Sequence, residues 1–359
     1  HRVTLRSGRQ IRCTQKHRLL TATGWKTLGD IVVGERLALA RSIPEPVGTL
    51  GMAEHELIFL GHMIGHGRYV ERQSMGYTAA NEVNSDALRL AAEAFGCSVS
   101  RRDSQGDGHQ LELSGSGDPS HPEDAGQFLT TMGVVGQEAH TKRIPHAIFR
   151  LPRHQLALFM RHLWSTDGCV GDRGIYFTAA SRGLVDDLAA LLLRFGIVAR
   201  IKQTSPSGAL SAGRYELAVS GTEFQRAFVE QIGGFGHHAE PIQALRQTLN
   251  ARVHCTDVDT LPAQVFEPVR ASKGAPSIGG PSVASMAPGS SVGFLQRGFG
   301  LPSAVVDGQP RHDLSGSALF WDEAVSIEAD GVQPVFDLTV PGNACWLADG
   351  LVSHNSAAL

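Results

Sequence analysis

The chain has only five cysteines in 359 residues, at positions 13, 97, 169, 255 and 345, with no Cys-x-x-Cys pair. That scatter excludes a disulfide framework and a zinc ribbon. It suits a reducing compartment, so a cytoplasmic location is expected. No apolar run approaches the roughly 20 residues that a membrane-spanning helix needs. The opening carries no signal-peptide pattern, and no membrane partner is expected. Net charge is also scarce, at −3 with histidine neutral, which by itself does not advertise a nucleic-acid ligand.

What is present is unevenly placed. Between Lys142 and Lys202 there are ten Lys and Arg against four Asp and Glu, a local +6. Such an excess supports contact with a polyanion, although a solvated helix face shows it too. The length gives room for two or more domains, and a hydrophobic content of 42% is ordinary for a globular chain.

The richest chemistry lies near the end, in His354-Asn355-Ser356. An Asn side-chain amide can attack its own backbone carbonyl, closing a succinimide and breaking the Asn355–Ser356 bond. His354 can polarise that carbonyl or protonate the leaving amine. The Ser356 hydroxyl can accept an acyl group. The apolar runs 335–340 and 346–352 bracket Pro341-Gly342 and read as a hairpin-like pair holding the tripeptide at a strand end. Residues 335–356 resemble the C-terminal splicing blocks of inteins, the self-excising protein elements.

That resemblance implies a Thr-x-x-His motif on a strand near the other end, and Thr14-Gln15-Lys16-His17 supplies one. In inteins these two residues act on the N-terminal scissile peptide by strain and proton donation. Asp337 matches a position that couples the two splice junctions. Ala344 stands where many inteins place an assisting histidine. Inteins begin with Cys or Ser some tens of residues before this motif, whereas thirteen residues precede Thr14 here. The chain is therefore expected to be a fragment without its N-terminal junction, capable of C-terminal cleavage and not of full splicing. Cys13 reads as a strand residue.

The middle of the chain repeats itself at about one hundred residues. Thr78-Ala79-Ala80 recurs as Thr178-Ala179-Ala180, Phe95-Gly96 as Phe195-Gly196, and the helix ending at His66-Gly67 as one ending at Asp167-Gly168. The period is too long for a solenoid and implies two half-domains about a pseudo-two-fold axis. Gly61 and Gly65 lie four apart on one helix face and permit close helix packing. These segments resemble the paired motifs of LAGLIDADG homing endonucleases, over residues 52–236. Lys142-Arg143-Ile144-Pro145 resembles that family's Lys-x-Ile-Pro segment, in which the Lys supports catalysis. The resemblance implies Mg²⁺ between two helix-end carboxylates and double-stranded DNA as partner. His66 stands where the first carboxylate is expected, and His162 where a small residue is preferred. A degenerate endonuclease with Asp167 as main metal ligand is expected.

The expected architecture is an all-β Hint horseshoe splicing domain (1–44 and 317–355) interrupted by an α+β LAGLIDADG pseudo-two-fold endonuclease domain (52–236). A helical adjunct and Gly/Ser/Pro-rich linker fill 237–316. Residues 356–359 would belong to the host protein, whose type resembles DnaB-type replicative helicases. The principal reading is a single-turnover self-cleaving intein whose exteins act in cis. The alternatives are an active or nicking site-specific DNA endonuclease, and a hedgehog-type autoprocessing domain, which the terminal Asn355 disfavours.

Overall fold

The computed structural model describes residues 1–69, 75–79, 81–103, 109–115, 125–171, 174–204, 213–251, 260–261, 294–295, 305–306, 309–310, 318–342 and 344–355. The chain divides into two compact units, one made of residues 1–42 and 255–359 and the other of residues 43–254.

The first unit opens with β1 (Arg2–Leu5), β2 (Gln10–Arg12), β3 (Arg18–Thr21), β4 (Gly24–Thr27) and β5 (Arg36–Ala40). Their period-two pattern buries one face: Val3 and Leu5 are inside while their neighbours are not. The Thr14–His17 motif, expected on a strand, forms the turn between β2 and β3 instead. The ladder ends where the Cys13 amide donates to His1, and the His17 amide then closes the turn onto the Thr14 carbonyl at 3.1 Å. Cys13 accordingly lies just past β2.

The second unit runs α1 (Glu54–His66), β6 (Gly67–Arg68), β7 (Met75–Ala79), α2 (Glu82–Ala94), β8 (Ser98–Asp103), β9 (His109–Ser114) and α3 (Ala125–Thr131). It continues with α4 (Arg153–Asp167), β10 (Gly168–Gly171), β11 (Gly174–Ala179), α5 (Arg182–Leu192), β12 (Arg200–Thr204), β13 (Arg214–Val219), α6 (Thr222–Gln231) and α7 (Ala239–Ala251). Two antiparallel sheets have the same strand order, β6-β7-β9-β8 and β10-β11-β13-β12. The duplication read from the sequence is thus a repeated helix–hairpin–helix–hairpin half in an α+β unit.

Local signals repeat with it. Asn81 caps α2 by accepting from the Asn84 amide at 2.8 Å, and Ser181 caps α5 by accepting from the Leu184 amide at 3.2 Å. Both second helices stop at Phe-Gly, with Gly96 at φ 77° and Gly196 at φ 72°, the left-handed turn that ends a helix. Among the described residues no helix is long and apolar enough to cross a membrane.

Beyond α7, which buries Ile242 and Leu249, the expected linker falls mostly outside the described residues. Within it lie β14 (Thr260–Leu261) paired with β15 (Phe294–Leu295), and β16 (Val305–Val306) paired with β17 (Gln309–Pro310). The first unit resumes with β18 (Leu319–Glu328), β19 (Cys345–Ala348) and β20 (Leu351–His354). Both chain ends build one antiparallel sheet in the order β19-β20-β3-β5-β18-β1-β2, with β4 on β3.

The hairpin expected between 335–340 and 346–352 does not form. The hairpin is β19–β20, and residues 335–340 form no strand. Asp349 at φ 51° and Gly350 at φ 86° make a two-residue turn with both central residues left-handed, the type whose twist matches a hairpin. Val335, Phe336 and Leu338 are apolar enough to read as a strand, yet all three are exposed.

Candidate functional site

Two constellations carry chemistry, one in each unit. In the second unit α1 and α4 pack along each other at glycine. A Cβ on Gly61 would lie 3.1 Å from the Leu163 amide nitrogen and 3.2 Å from the Phe159 carbonyl. One on Gly65 would sit 2.0 Å from the Thr166 hydroxyl, so only glycine allows this approach. Each helix then leaves through a glycine, Gly67 or Gly168, whose amide closes onto Met63 or Trp164.

The last residues of the two helices therefore meet. His66 Nε2 lies 3.2 Å from Asp167 Oδ1, with both side chains about one-third exposed. Lys142 donates to the Gly65 carbonyl beside them. Burial lowers the Lys142 pKa, and the nearby Asp167 opposes that shift. The Lys142–Pro145 segment is fixed by Asp187 on α5, a residue the sequence reading did not single out. Its carboxylate accepts two bonds from Arg143, at 2.7 and 2.6 Å, and one from the Ile144 amide at 3.0 Å. The Ser181 hydroxyl holds the Lys142 carbonyl at 2.7 Å.

The metal-ligand expectation can be set against this donor set. Mg²⁺ takes hard oxygen donors in a near-octahedral shell. The site offers one carboxylate facing one imidazole, and the Gly65 carbonyl is already engaged by Lys142. Among the described residues no three His, Cys, Asp or Glu are placed to hold a metal. The residues do not fit a paired Mg²⁺ centre.

His162, expected as a close-packing defect, has a specific partner. Its Nδ1 lies 3.1 Å from His62 Nε2, and His62 Nδ1 lies 2.9 Å from the Tyr77 hydroxyl. His62 is fully buried and His162 is 4% exposed, its ring tilted 40° against that of Phe235 with ring centres 4.1 Å apart. Burial pushes the His162 pKa down to about 4, with the Arg161 charge adding to it. Burial, His162 and His66 hold His62 well below its ordinary value too.

In the first unit, β20 pairs with β3 at Ser353↔Leu19 and His354↔Arg18. Continued by one residue, that register sets Asn355 opposite His17. The His354 Nδ1 lies 2.8 Å from the Asn355 carbonyl oxygen, the acyl oxygen of the bond to Ser356. Ser356 itself lies outside the described residues. The Asn355 amide donates to the Ala344 carbonyl at 2.8 Å. Ala344 carries φ 54°, in the left-handed region that few residues other than glycine adopt.

The Asn355 carboxamide is held on both faces. In the orientation that satisfies its surroundings, its nitrogen donates to the Leu338 and Ala344 carbonyls at 2.8 and 3.2 Å, and its oxygen accepts from the Val340 amide at 3.0 Å. The opposite orientation leaves one longer bond, to the Val340 carbonyl at 3.3 Å, so chemistry favours the first.

His17 packs edge-on to Trp346, ring centres 6.1 Å apart. Burial lowers its pKa, and Asp337 opposes the shift. Among the described residues His17 Nε2, Trp346 Nε1 and Ser353 Oγ are buried without a hydrogen-bond partner. Such atoms are costly unless a ligand or peptide group completes them. Thr14 is exposed in the turn, and Asp337 lies in the exposed 331–339 stretch, its Oδ1 accepting from the Leu338 amide at 2.9 Å. Burial pushes the Cys13 thiol up to about 11, which leaves it a poor nucleophile.

Residues 154–233 match the family model described as a LAGLIDADG-like domain. Across 99% of its length the chain is 33% identical to the replicative DNA helicase DnaB of Rhodothermus marinus, and it covers 40% of that protein. It is 31% identical to the DnaB of Synechocystis over 98% of its length, covering 42% of that protein. Protein RecA of Mycobacterium tuberculosis is 24% identical over 95% of this chain, which covers 47% of RecA. The chain thus spans under half the length of these relatives. Among solved structures, that of I-DmoI with DNA and Ca aligns with 53% of this chain and 97% of its own, at 11% identity and a TM-score of 0.38.

Proposed function

We propose that residues 43–254 are a DNA-binding module of the LAGLIDADG endonuclease type that keeps one of its two paired carboxylates. The observation carrying this reading is the meeting of α1 and α4 at His66 and Asp167, 3.2 Å apart at equivalent ends of a duplicated half. The span matched by the family model, 154–233, contains the half with Asp167. It also overlaps the basic stretch from Lys142 to Lys202. Loss of one carboxylate removes half of the hard-donor set, whereas binding to a duplex rests on many separate Lys and Arg contacts to phosphates. Double-stranded DNA is therefore bound and at most one strand is cut. Selection from a randomised duplex library, followed by affinity and nicking assays on the selected site, tests this. Salt-dependent binding is expected, with Asp167→Asn abolishing any nick. Failure to retain duplex even at low salt would contradict it.

A second reading is favoured by a separate observation in the other unit, the contact of His354 with the Asn355 carbonyl. It is autocatalytic cleavage of the intein kind, by a Hint-type domain. The Asn355 side-chain nitrogen forms a bond to its own backbone carbonyl carbon, and the bond from that carbon to the Ser356 nitrogen breaks. The amide proton passes to the departing amine, giving a C-terminal succinimide and a free Ser356 amine. His354 donates to the carbonyl oxygen as charge develops there. The three backbone bonds on the Asn355 carboxamide limit its motion before attack. A segment that aligns almost end to end with parts of both a helicase and RecA, while covering under half of each, also suits an insert carried by different hosts. Mass spectrometry of the full chain tests this reading. Loss of Ser356–Leu359 is expected, and Asn355→Ala should prevent it. Equal loss from the Ala variant refutes it.

A further inference from the structure

Trp25 is 39% exposed, an uncommon place for the largest side chain. It lies on β4, paired with Leu20 of β3. On the same face Leu20 and Val352 pack against the small cluster of Ala38 and Trp321. His354 shares that face, since it pairs with Arg18, two residues from Leu20 along β3. Trp25 reaches diagonally across β3 and meets the His354 imidazole edge to face, with ring centres 5.0 Å apart and planes at 80°. The contacted ring is the one whose Nδ1 stands 2.8 Å from the Asn355 carbonyl oxygen.

We infer that Trp25 is a positioning residue for cleavage at Asn355: its indole walls the His354 imidazole so that Nδ1 stays on the scissile carbonyl oxygen. This rests on the autocatalytic reading. The physical reason is rotameric. His354 sits at the end of β20, and among the described residues its ring makes one hydrogen bond, that to the carbonyl. A histidine side chain free to change χ1 or χ2 spends part of its time away from the oxygen it must polarise. An aromatic wall at a defined angle removes those rotamers and costs the site no charge. A phenyl ring at position 25 keeps most of the wall, and a methyl group keeps none. The rate should follow that order. The contact energy expected of one aromatic pair corresponds to about a two- to tenfold change in rate.

The test uses the full chain as parent, Trp25→Phe, Trp25→Ala and Asn355→Ala. Release of Ser356–Leu359 is followed by mass spectrometry from acid to alkaline pH, and the His354 side-chain couplings by NMR with labelled histidine. Trp25→Phe should stay within about twofold of the parent. Trp25→Ala should be about two- to tenfold slower, with a displaced pH–rate profile and His354 side-chain couplings that report averaging among rotamers. A role in packing alone would lower the unfolding midpoint while leaving the pH profile and the His354 couplings in place, and that result overturns the inference. So does a Trp25→Ala chain that matches the parent in rate, profile and His354 couplings while Asn355→Ala is inert; the cleavage reading then stands and only Trp25 fails. If the parent releases nothing, or Asn355→Ala releases as the parent does, the cleavage reading itself falls and takes this role with it.

Discussion

Acid should loosen the second unit through the buried His62–His162 pair. The His162 pKa is pushed from its ordinary 6.5 down to about 4 in the folded chain. A depressed value means that the unfolded chain takes up the proton first. Stability is therefore full above pH 6.5 and drains away as pH falls towards 4. At about 1.4 kcal/mol per pH unit the completed loss is about 3 kcal/mol, and between pH 7 and pH 5 it is about 2 kcal/mol. His62 adds a loss of the same sign. The groups facing the pair bring no negative charge to hold a second proton: the Tyr77 hydroxyl, the Phe235 ring, His66 one turn along α1 and Arg161 beside His162. His238 is also held down to about 4, so the parent alone does not isolate the pair. A variant with His62→Gln and His162→Asn keeps hydrogen-bonding groups that do not titrate. All described α-helices lie in this unit, so urea unfolding followed by far-ultraviolet circular dichroism reports on it. The parent should lose about 2 kcal/mol more than the variant between pH 7 and pH 5. Equal losses in the two chains would show that the folded pair takes up protons as readily as the unfolded chain, and that burial does not hold it neutral.

Three further outcomes are expected. Gly65→Ala forces a methyl group onto Thr166 and should cost about 1–3 kcal/mol in the same urea experiment, with Thr166→Ala restoring part of it; an unchanged midpoint would mean that the helices are not pinned there. Asp187→Asn weakens the hold on Arg143 and the Ile144 amide, and should cost about 1–3 kcal/mol while raising amide exchange across 142–144. Exchange that stays at the parent rate would remove Asp187 as the support of Lys142. Asp337→Ala, in a chain that cleaves at Asn355, should alter the pH dependence of cleavage through His17, which Asp337 raises, and leave the unfolding midpoint within about 0.5 kcal/mol, since the residue is exposed. A collapse of stability would assign Asp337 a structural role instead.

The duplication was legible because each half carries its own local code. Asn81 and Ser181 cap, Gly96 and Gly196 stop, and Gly61 and Gly65 permit the helix crossing. These are backbone requirements that a linear sequence displays. The His62–His162 bond was less legible, although the two positions lie 100 residues apart, close to the repeat length, and that spacing was a usable signal. A histidine at a tight crossing reads as a defect until its partner is seen. Asp187 could not be found, because its value comes from a contact 43 residues away in sequence with Ile144. The hairpin near the end was misplaced because Val335, Phe336 and Leu338 mimic a strand, while the turn that decides the pairing is Asp349-Gly350. Thr14 and His17 were found as the Thr-x-x-His pattern that the resemblance at the other end implies; the turn that holds them depends on where the β1–β2 ladder stops.

The most direct test of the central claim is restoration of the missing carboxylate. His66→Asp and the parent would be compared on the duplex recovered by selection, with Mg²⁺ present, by the fraction of molecules cut in both strands and by affinity. The parent should bind without double-strand cleavage, and His66→Asp should gain it at similar affinity. Efficient double-strand cleavage by the parent would contradict the account, as would a folded His66→Asp chain that binds the same site and cuts no better.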